Sequence, residues 1–338
     1  MDSIFYSTPE TQRDSLIGES GMLIFNWIVW AVVSEVVVVF GIISNIINII
    51  CFVNQGFKDS INVSLTGLAI ADLGCLLPLV WANISYTPAF TDLDFPFDVI
   101  EVQFMTSGTT HVVLSRISCW VTALITLERC LCVSMPLKVK NIATSKRTCI
   151  AIVSIFVVLT ATGSTQFLYY RMGPKFYLER NKTLLGIIYT EDHVYYHKIA
   201  FPVNLVFVPN LAFVIVIVCT IKLVTQLKNK GKWRMASATT EEAARLTSAN
   251  MKVAKMVVTI SVLFICCFTP LSITSILISA VPGFSIDGKL GNFISVLAGI
   301  GFLLESVNSS VNIIIYYNMS SKYRDTFHQI IVKRKVQL

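Results

Sequence analysis

Apolar residues fill long runs along this chain, and short polar segments separate them. Seven runs are long enough to cross about 30 Å of hydrocarbon. They lie near residues 25–53, 60–86, 102–134, 146–170, 196–227, 249–281 and 288–317. In lipid every backbone N–H and C=O needs a partner inside the chain, so each run is predicted to be a helix. The predicted fold class is all-α, a seven-transmembrane helix bundle between a polar segment 1–24 and a tail 318–338. The third, fifth and sixth runs exceed the length a span needs and are expected to tilt or to project beyond the bilayer. The second ends at Trp81 to Tyr86, where it passes into a loop rich in Pro and Phe. The polar segment 228–250, rich in Ser, Thr and Ala, is expected to be a partly disordered loop. Beyond the last run, Tyr323, Phe327, Ile330 and Ile331 recur at helical spacing, with Lys322, Arg324 and Lys333 on the other face. That pattern predicts a short amphipathic helix along the membrane surface.

Composition agrees with immersion in lipid. Of the 338 residues, 54% are hydrophobic and 14% charged, and the mean hydropathy is +0.69. A soluble chain of this size could not bury that much apolar surface. The net charge of +7 is unevenly spread. Lys138, Lys140, Lys146 and Arg147 fall in one loop, Lys228, Lys230, Lys232 and Arg234 in another, and Lys333, Arg334 and Lys335 in the tail. Asp2, Glu10, Asp14, Glu19, Asp92, Asp94, Asp98 and Glu101 fall on the opposite side. The basic side is therefore expected in the cytoplasm, with the C-terminus, and the N-terminus outside a plasma membrane. It suits anionic inner-leaflet lipid and an acidic protein partner. The basic residues cluster at the ends of apolar spans, where bilayer orientation accounts for them, so no nucleic-acid partner is expected.

The nine cysteines lie within apolar runs or at their inner ends, so no external disulfide framework is expected. Asn83 and Asn181 begin Asn-x-Ser/Thr glycosylation motifs. The four histidines form no metal or nucleophile constellation, and no enzymatic activity is expected.

Polar groups within a span are costly and become functional candidates. Asn45 closes Gly41-Ile-Ile-Ser-Asn45, and Asp72 closes Leu68-Ala-Ile-Ala-Asp72. The third span ends with Leu127-Glu128-Arg129-Cys130, followed by Pro136-Leu137. Pro209 interrupts the fifth, and the sixth holds Phe264, Phe268 and Pro270. The seventh reads Asn308-Ser309-Ser310-Val311-Asn312, with Tyr316 one turn on. In this order the motifs resemble the rhodopsin-like G-protein-coupled receptors over nearly the whole chain. The wording near Glu128 and after Tyr316 looks most like molluscan chemosensory and peptide-type receptors.

The resemblance implies roles. Arg129 is expected to pair with Glu128 at rest and to turn toward a heterotrimeric G protein and Tyr316 on activation, while Pro209 and Pro270 allow the bends. Asp72, Ser118, Asn308, Ser309 and Asn312 match a buried sodium pocket; a hydrogen-bonded polar core without an ion is the other reading. Oxygen ligands with one carboxylate suit a hard cation. Some positions depart from the family. Phe104 stands where an outer disulfide would begin, Phe268 replaces a Trp, Ile313 replaces a Pro, and the sixth span has no acid to hold Arg129. No Lys lies between Lys289 and Lys322, so no retinal Schiff base is expected.

Ligand-pocket positions matched through the resemblance are His111, Val112, Ser115, Phe201, Leu271, Ser275, Phe302 and Ser306. His111 can donate, accept or charge; bonding to a neighbouring helix is its alternative role. Arg116 and Glu305 add two buried charges that need partners. At 100° per residue, Arg116 is turned about 140° from His111, toward the fourth and fifth spans. Asn204 or Gln166 is then as good a partner as Glu305. Glu35 is read as a structural acid. The expected function is a receptor that binds an extracellular chemosensory compound and activates a G protein. An FMRFamide-like neuropeptide receptor is the alternative. A transporter is the non-receptor alternative, without the internal repeat that it calls for.

Overall fold

The computed structural model describes residues 16–336 except 92, 136–142, 179, 192–197, 199–201, 235–240, 282 and 285–289, with backbone alone at 88, 230–234, 241–250 and 331–336. Seven of its helices are long and apolar enough to cross a membrane: α1 (Glu19–Gln55), α2 (Ser60–Ser85), α3 (Val99–Ser134), α4 (Ser145–Leu168), α5 (Val203–Asn229), α6 (Met251–Ala280) and α7 (Gly291–Met319). The helix α8 (Ser321–Val336) follows. α3 runs through the middle and packs on α2, α4, α5 and α6, while α1 meets α2, α7 and α8. The largest core cluster joins Ile117, Val121 and Ile125 of α3 to Leu65 and Leu68 of α2, Met256 and Ile260 of α6, and Tyr316 and Tyr323. Gly41 lets α1 approach closely, since a Cβ there would stand 2.1 Å from Ser310 Oγ and 2.6 Å from Leu76 Cδ1.

Within the segment expected as a loop, 228–250, the described residues 228–234 and 241–250 are helical, and 235–240 lie outside the described residues. α5 runs on to Arg234, and the α6 helix begins at Glu241, ten residues before its apolar part. Glu241-Glu-Ala-Ala-Arg is rich in strong helix formers. The second span likewise stays helical to Ser85 despite Pro78 within it.

The all-α expectation lacked one element. After α4 the chain forms a hairpin of β1 (Tyr170–Tyr177) and β2 (Lys182–Tyr189), antiparallel from Tyr170↔Tyr189 to Tyr177↔Lys182. Asn181 takes φ 48° in the turn between them, a left-handed conformation that Asn tolerates better than most side chains. The hairpin sits against the head of α3, where Phe97 and Leu185 form a β-bridge.

α7 breaks at Val311 (φ −91°, ψ 0°) with Ile313, not Pro, beside the break. Hydroxyls supply the cause: Ser306 Oγ donates to Phe302 O (2.9 Å) and Ser310 Oγ to Ser306 O (2.6 Å). Such bonds to the preceding turn bend helices. In α5, a π-helical turn at Val203–Phe207 leads into Pro209, whose missing N–H fits the loosened ladder. α8 places Tyr323, fully buried, against Phe52 of α1 (centroids 5.5 Å). Its hydroxyl donates to Asn48 Oδ1 (2.6 Å). Phe327 and Ile330 pack on the same core.

Candidate functional site

Asp72 of α2 is wholly buried. Three donors converge on its carboxylate: Ser118 Oγ at 2.6 Å and Ser309 Oγ at 3.1 Å on Oδ1, and Asn312 Nδ2 at 3.0 Å on Oδ2. Asn45 Nδ2 joins α1 to α7 by donating to Ser309 O (2.8 Å). The side-chain oxygens of Asn308 and Asn312 have no hydrogen-bond partner. The structure thus gathers all five residues of the expected cation pocket on α2, α3 and α7, and leaves two amide oxygens free to serve as ligands.

Toward the hairpin end, Glu305 of α7 accepts from Ser115 Oγ (2.9 Å) and lies 3.6 Å from His111 Nε2. His111 Nδ1 is 3.0 Å from Cys75 O and 3.3 Å from Cys75 Sγ. A carbonyl only accepts, so Nδ1 carries the hydrogen. Nε2 then faces a carboxylate oxygen of Glu305 from beyond hydrogen-bond distance and has no hydrogen-bond partner. The Phe302 ring lies 5.4 Å from the imidazole. His111, Ser115, Glu305 and Phe302 are therefore brought together.

A cavity of about 10 Å³, near the room one water or small ion needs, joins the two clusters. Its lining includes Ser115 and Glu305 of one cluster, Ser118, Asn308 and Ser309 of the other, and the rings of Phe264 and Phe268. Those two rings stack at 5.3 Å and pack on Phe213 of α5.

Arg116 turns away from Glu305. Its Nη1 donates to Asn204 O (3.0 Å) and Asn204 Oδ1 (3.3 Å) of α5, as the helical phase indicated. Gln166, the other partner considered, leaves its Nε2 unbonded. Leu271 packs against Gly301. Ser275 and Ser306 spend their hydroxyls on carbonyls of their own helices, Ser272 O and Phe302 O. Val112 is half-buried on α3. Phe201 lies outside the described residues, as do Pro136 and Leu137.

At the opposite end, Arg129 Nη2 stands 4.0 Å from Glu128 Oε2 and donates to Ser60 Oγ (3.2 Å). Glu128 is held more closely by Ser64 Oγ (2.9 Å) and Thr148 Oγ1. No acid of α6 reaches Arg129 among the described residues. Instead Thr126 of α3 and Ser261 of α6 hydrogen-bond at 2.8 Å, and Ser134 of α3 pairs with Gln226 of α5. Higher up, Ser272 of α6 donates to Asn210 Oδ1, just past Pro209. Tyr316 is buried against Phe52 (5.1 Å) with its hydroxyl unpartnered. Pro270 sits inside α6.

One expectation is overturned. Asn83 is buried within α2, accepting from Ser34 Oγ (3.0 Å) and donating to Glu35 Oε2 (2.8 Å). It is a structural amide that satisfies the acid of α1, and at 1% exposure it presents no surface for a glycan. Asn181 is exposed at the hairpin turn. Beside it, the Lys182 ammonium holds the Asp94 carboxyl below its ordinary value, across 2.8 Å. Sequence reasoning missed Cys75, Ser64, Thr148 and Thr126–Ser261. Each is a small polar residue in an apolar helix, and the polarity alone marked it.

The model of a family described as serpentine type 7TM GPCR chemoreceptor Srw matches residues 32–334. The Allatostatin-A receptor of Bombyx mori is 24% identical over 316 residues, 88% of this chain and 80% of that receptor. The FMRFamide receptor of Drosophila melanogaster is 26% identical over 332 residues, 91% of this chain and 54% of that receptor. With seven apolar helices around a polar interior, these likenesses define a multi-pass membrane protein and a G-protein-coupled receptor. The chain belongs to the Srw family of serpentine chemoreceptors. Proteins of this class are receptors and not enzymes, and the transporter alternative falls with that assignment.

Proposed function

We propose that the chain lies in the plasma membrane with the hairpin outside and α8 in the cytoplasm. There it binds an extracellular chemosensory compound among His111, Ser115, Glu305 and Phe302 and activates a heterotrimeric G protein at Arg129. The observation that carries this reading is the cavity shared by the Glu305 and Asp72 clusters. A ligand that displaces the His111–Glu305 contact alters α3 and α7 together, beside the break at Val311. It shifts the population toward a state in which α6 parts from α3 at Thr126–Ser261. Arg129 and Tyr316, each carrying an unpartnered buried polar atom, are then available to the G protein. The rhodopsin-like order of the motifs supports the same roles.

Asp72, Ser118, Asn308, Ser309 and Asn312 suit a sodium ion, because the two free amide oxygens add to a carboxylate and two hydroxyls. Such an ion would stabilise the resting arrangement of α2, α3 and α7. A second reading, an FMRFamide-like neuropeptide as ligand, is supported by the similarity to the FMRFamide receptor of Drosophila melanogaster.

The test is a screen of chemosensory compounds and amidated peptides in cells that report several second messengers. A hit should be lost in an Arg129→Ala variant expressed at the same level on the cell surface. Unchanged signalling by that variant would sink the mechanism, and tags on both termini found on one side of the membrane would sink the orientation.

A further inference from the structure

The hairpin is too small to hold its place alone, since a lone two-stranded sheet is marginal in water. All nine cysteines are free, so no covalent tie secures it. Phe104, which stands where an outer disulfide would begin in the resembled family, meets Tyr170 edge-on, centroids 6.2 Å apart.

One side chain reaches both strands. Glu101, on the first turn of α3 and 9% exposed, receives Lys175 Nζ of β1 on Oε1 at 2.7 Å. It receives the backbone N–H of Ile187, on β2, at Oε2 (2.5 Å). The sequence makes room for it at Gly186, where a Cβ would stand 2.6 Å from Glu101 Oε2 and 2.1 Å from the Tyr177 hydroxyl. Asp98 caps the same turn of α3 through the N–H of Glu101 (2.9 Å). Two further backbone bonds align the approach: Asp98 N to Leu185 O (2.9 Å) and Leu185 N to Pro96 O (3.0 Å). Lys175 also lies 5.2 Å from the Tyr177 ring.

The geometry points to Glu101 as a positioning residue: its carboxylate, bonded to Lys175 and to Ile187 N–H, latches the hairpin onto α3 and governs entry to the interior around His111. A charge-assisted bond to one strand and a backbone bond to the other resist both sliding and lifting of the hairpin, which neither bond does alone. His111 lies ten residues further along α3, about 15 Å deeper at 1.5 Å per residue. A hairpin released from Glu101 uncovers that path without disturbing the Arg129 end.

The experiment uses the full chain in detergent and reads the rate at which aminoethyl methanethiosulfonate labels individual cysteines, resolved by peptide mass spectrometry. Cys75, beside His111, reports on the hairpin end. Cys130, equally buried next to Arg129, reports general loosening. Glu101→Gln, Lys175→Met and Gly186→Ala should each raise Cys75 labelling about ten-fold or more, as expected for a locally opening segment that loses a charge-assisted bond. Cys130 should be unchanged, and Lys175→Arg should restore the wild-type rate. A Cys75 rate unaltered in all three variants would overturn the proposal. So would a parallel rise at Cys130, which would mean that Glu101 serves only the stability of the whole bundle.

Discussion

Removing the Asp72 carboxylate separates hydrogen-bond geometry from charge. In Asp72→Ala, the hydroxyls of Ser118 and Ser309 and the amide of Asn312 lose their shared acceptor inside a region closed to solvent. Each orphaned buried donor costs about 1–3 kcal/mol. Three at the lower bound amount to about 3 kcal/mol, the lower bound being apt because hydroxyls can rotate toward helix carbonyls. Asp72→Asn behaves differently. Its remaining carbonyl oxygen still accepts from both serines, and its new NH2 group faces Asn312. The Asn312 oxygen is unpartnered, so a flip of that amide restores a pair, and the loss should be about 1 kcal/mol or less.

At roughly 2–4 °C per kcal/mol, Asp72→Ala should melt some 6–12 °C lower, and Asp72→Asn at most about 4 °C lower. The assay is fluorescence-detected thermal unfolding of the purified receptor, in sodium chloride and in choline chloride at equal ionic strength. Sodium should raise the melting temperature of the wild type by mass action on the folded state, and should do so in neither variant. Equal losses in the two variants would refute the acceptor argument. A sodium response that survived Asp72→Asn would refute the cation site.

Other outcomes follow from packing and exposure. Gly41→Ala should destabilise the bundle by about 1–3 kcal/mol, as overpacking does, because the new methyl collides with Ser310 and Leu76; thermal unfolding reads it directly. In eukaryotic cells Asn181→Gln should abolish the mobility shift produced by peptide-N-glycosidase, whereas the single change Asn83→Gln should leave the shift intact. A glycan remaining in Asn181→Gln and vanishing in Asn83→Gln would reverse the assignment.

The helices were legible because lipid imposes one rule on every residue of a span, and the apolar runs carry that rule openly. The helical extension from Glu241 was not, since a polar stretch carries a loop signal while Ala and Glu favour helix in water as well. The hairpin was equally hidden. β1 contains Gly173 and Pro174, and its burial does not alternate cleanly, so no period of two stood out. Helical phase placed Arg116 correctly, because both it and His111 lie on one helix. Partners across helices, such as Cys75 for His111 or Thr148 for Glu128, depend on how neighbouring helices are rotated, which no single segment encodes. Asn83 shows the converse: a three-residue motif is read without its depth.

The free thiols carry a practical corollary. The nine cysteines are unpaired and the hairpin is tied to α3 by hydrogen bonds and an ion pair, so dithiothreitol has no S–S bond to break and should leave the melting temperature of the purified receptor unchanged.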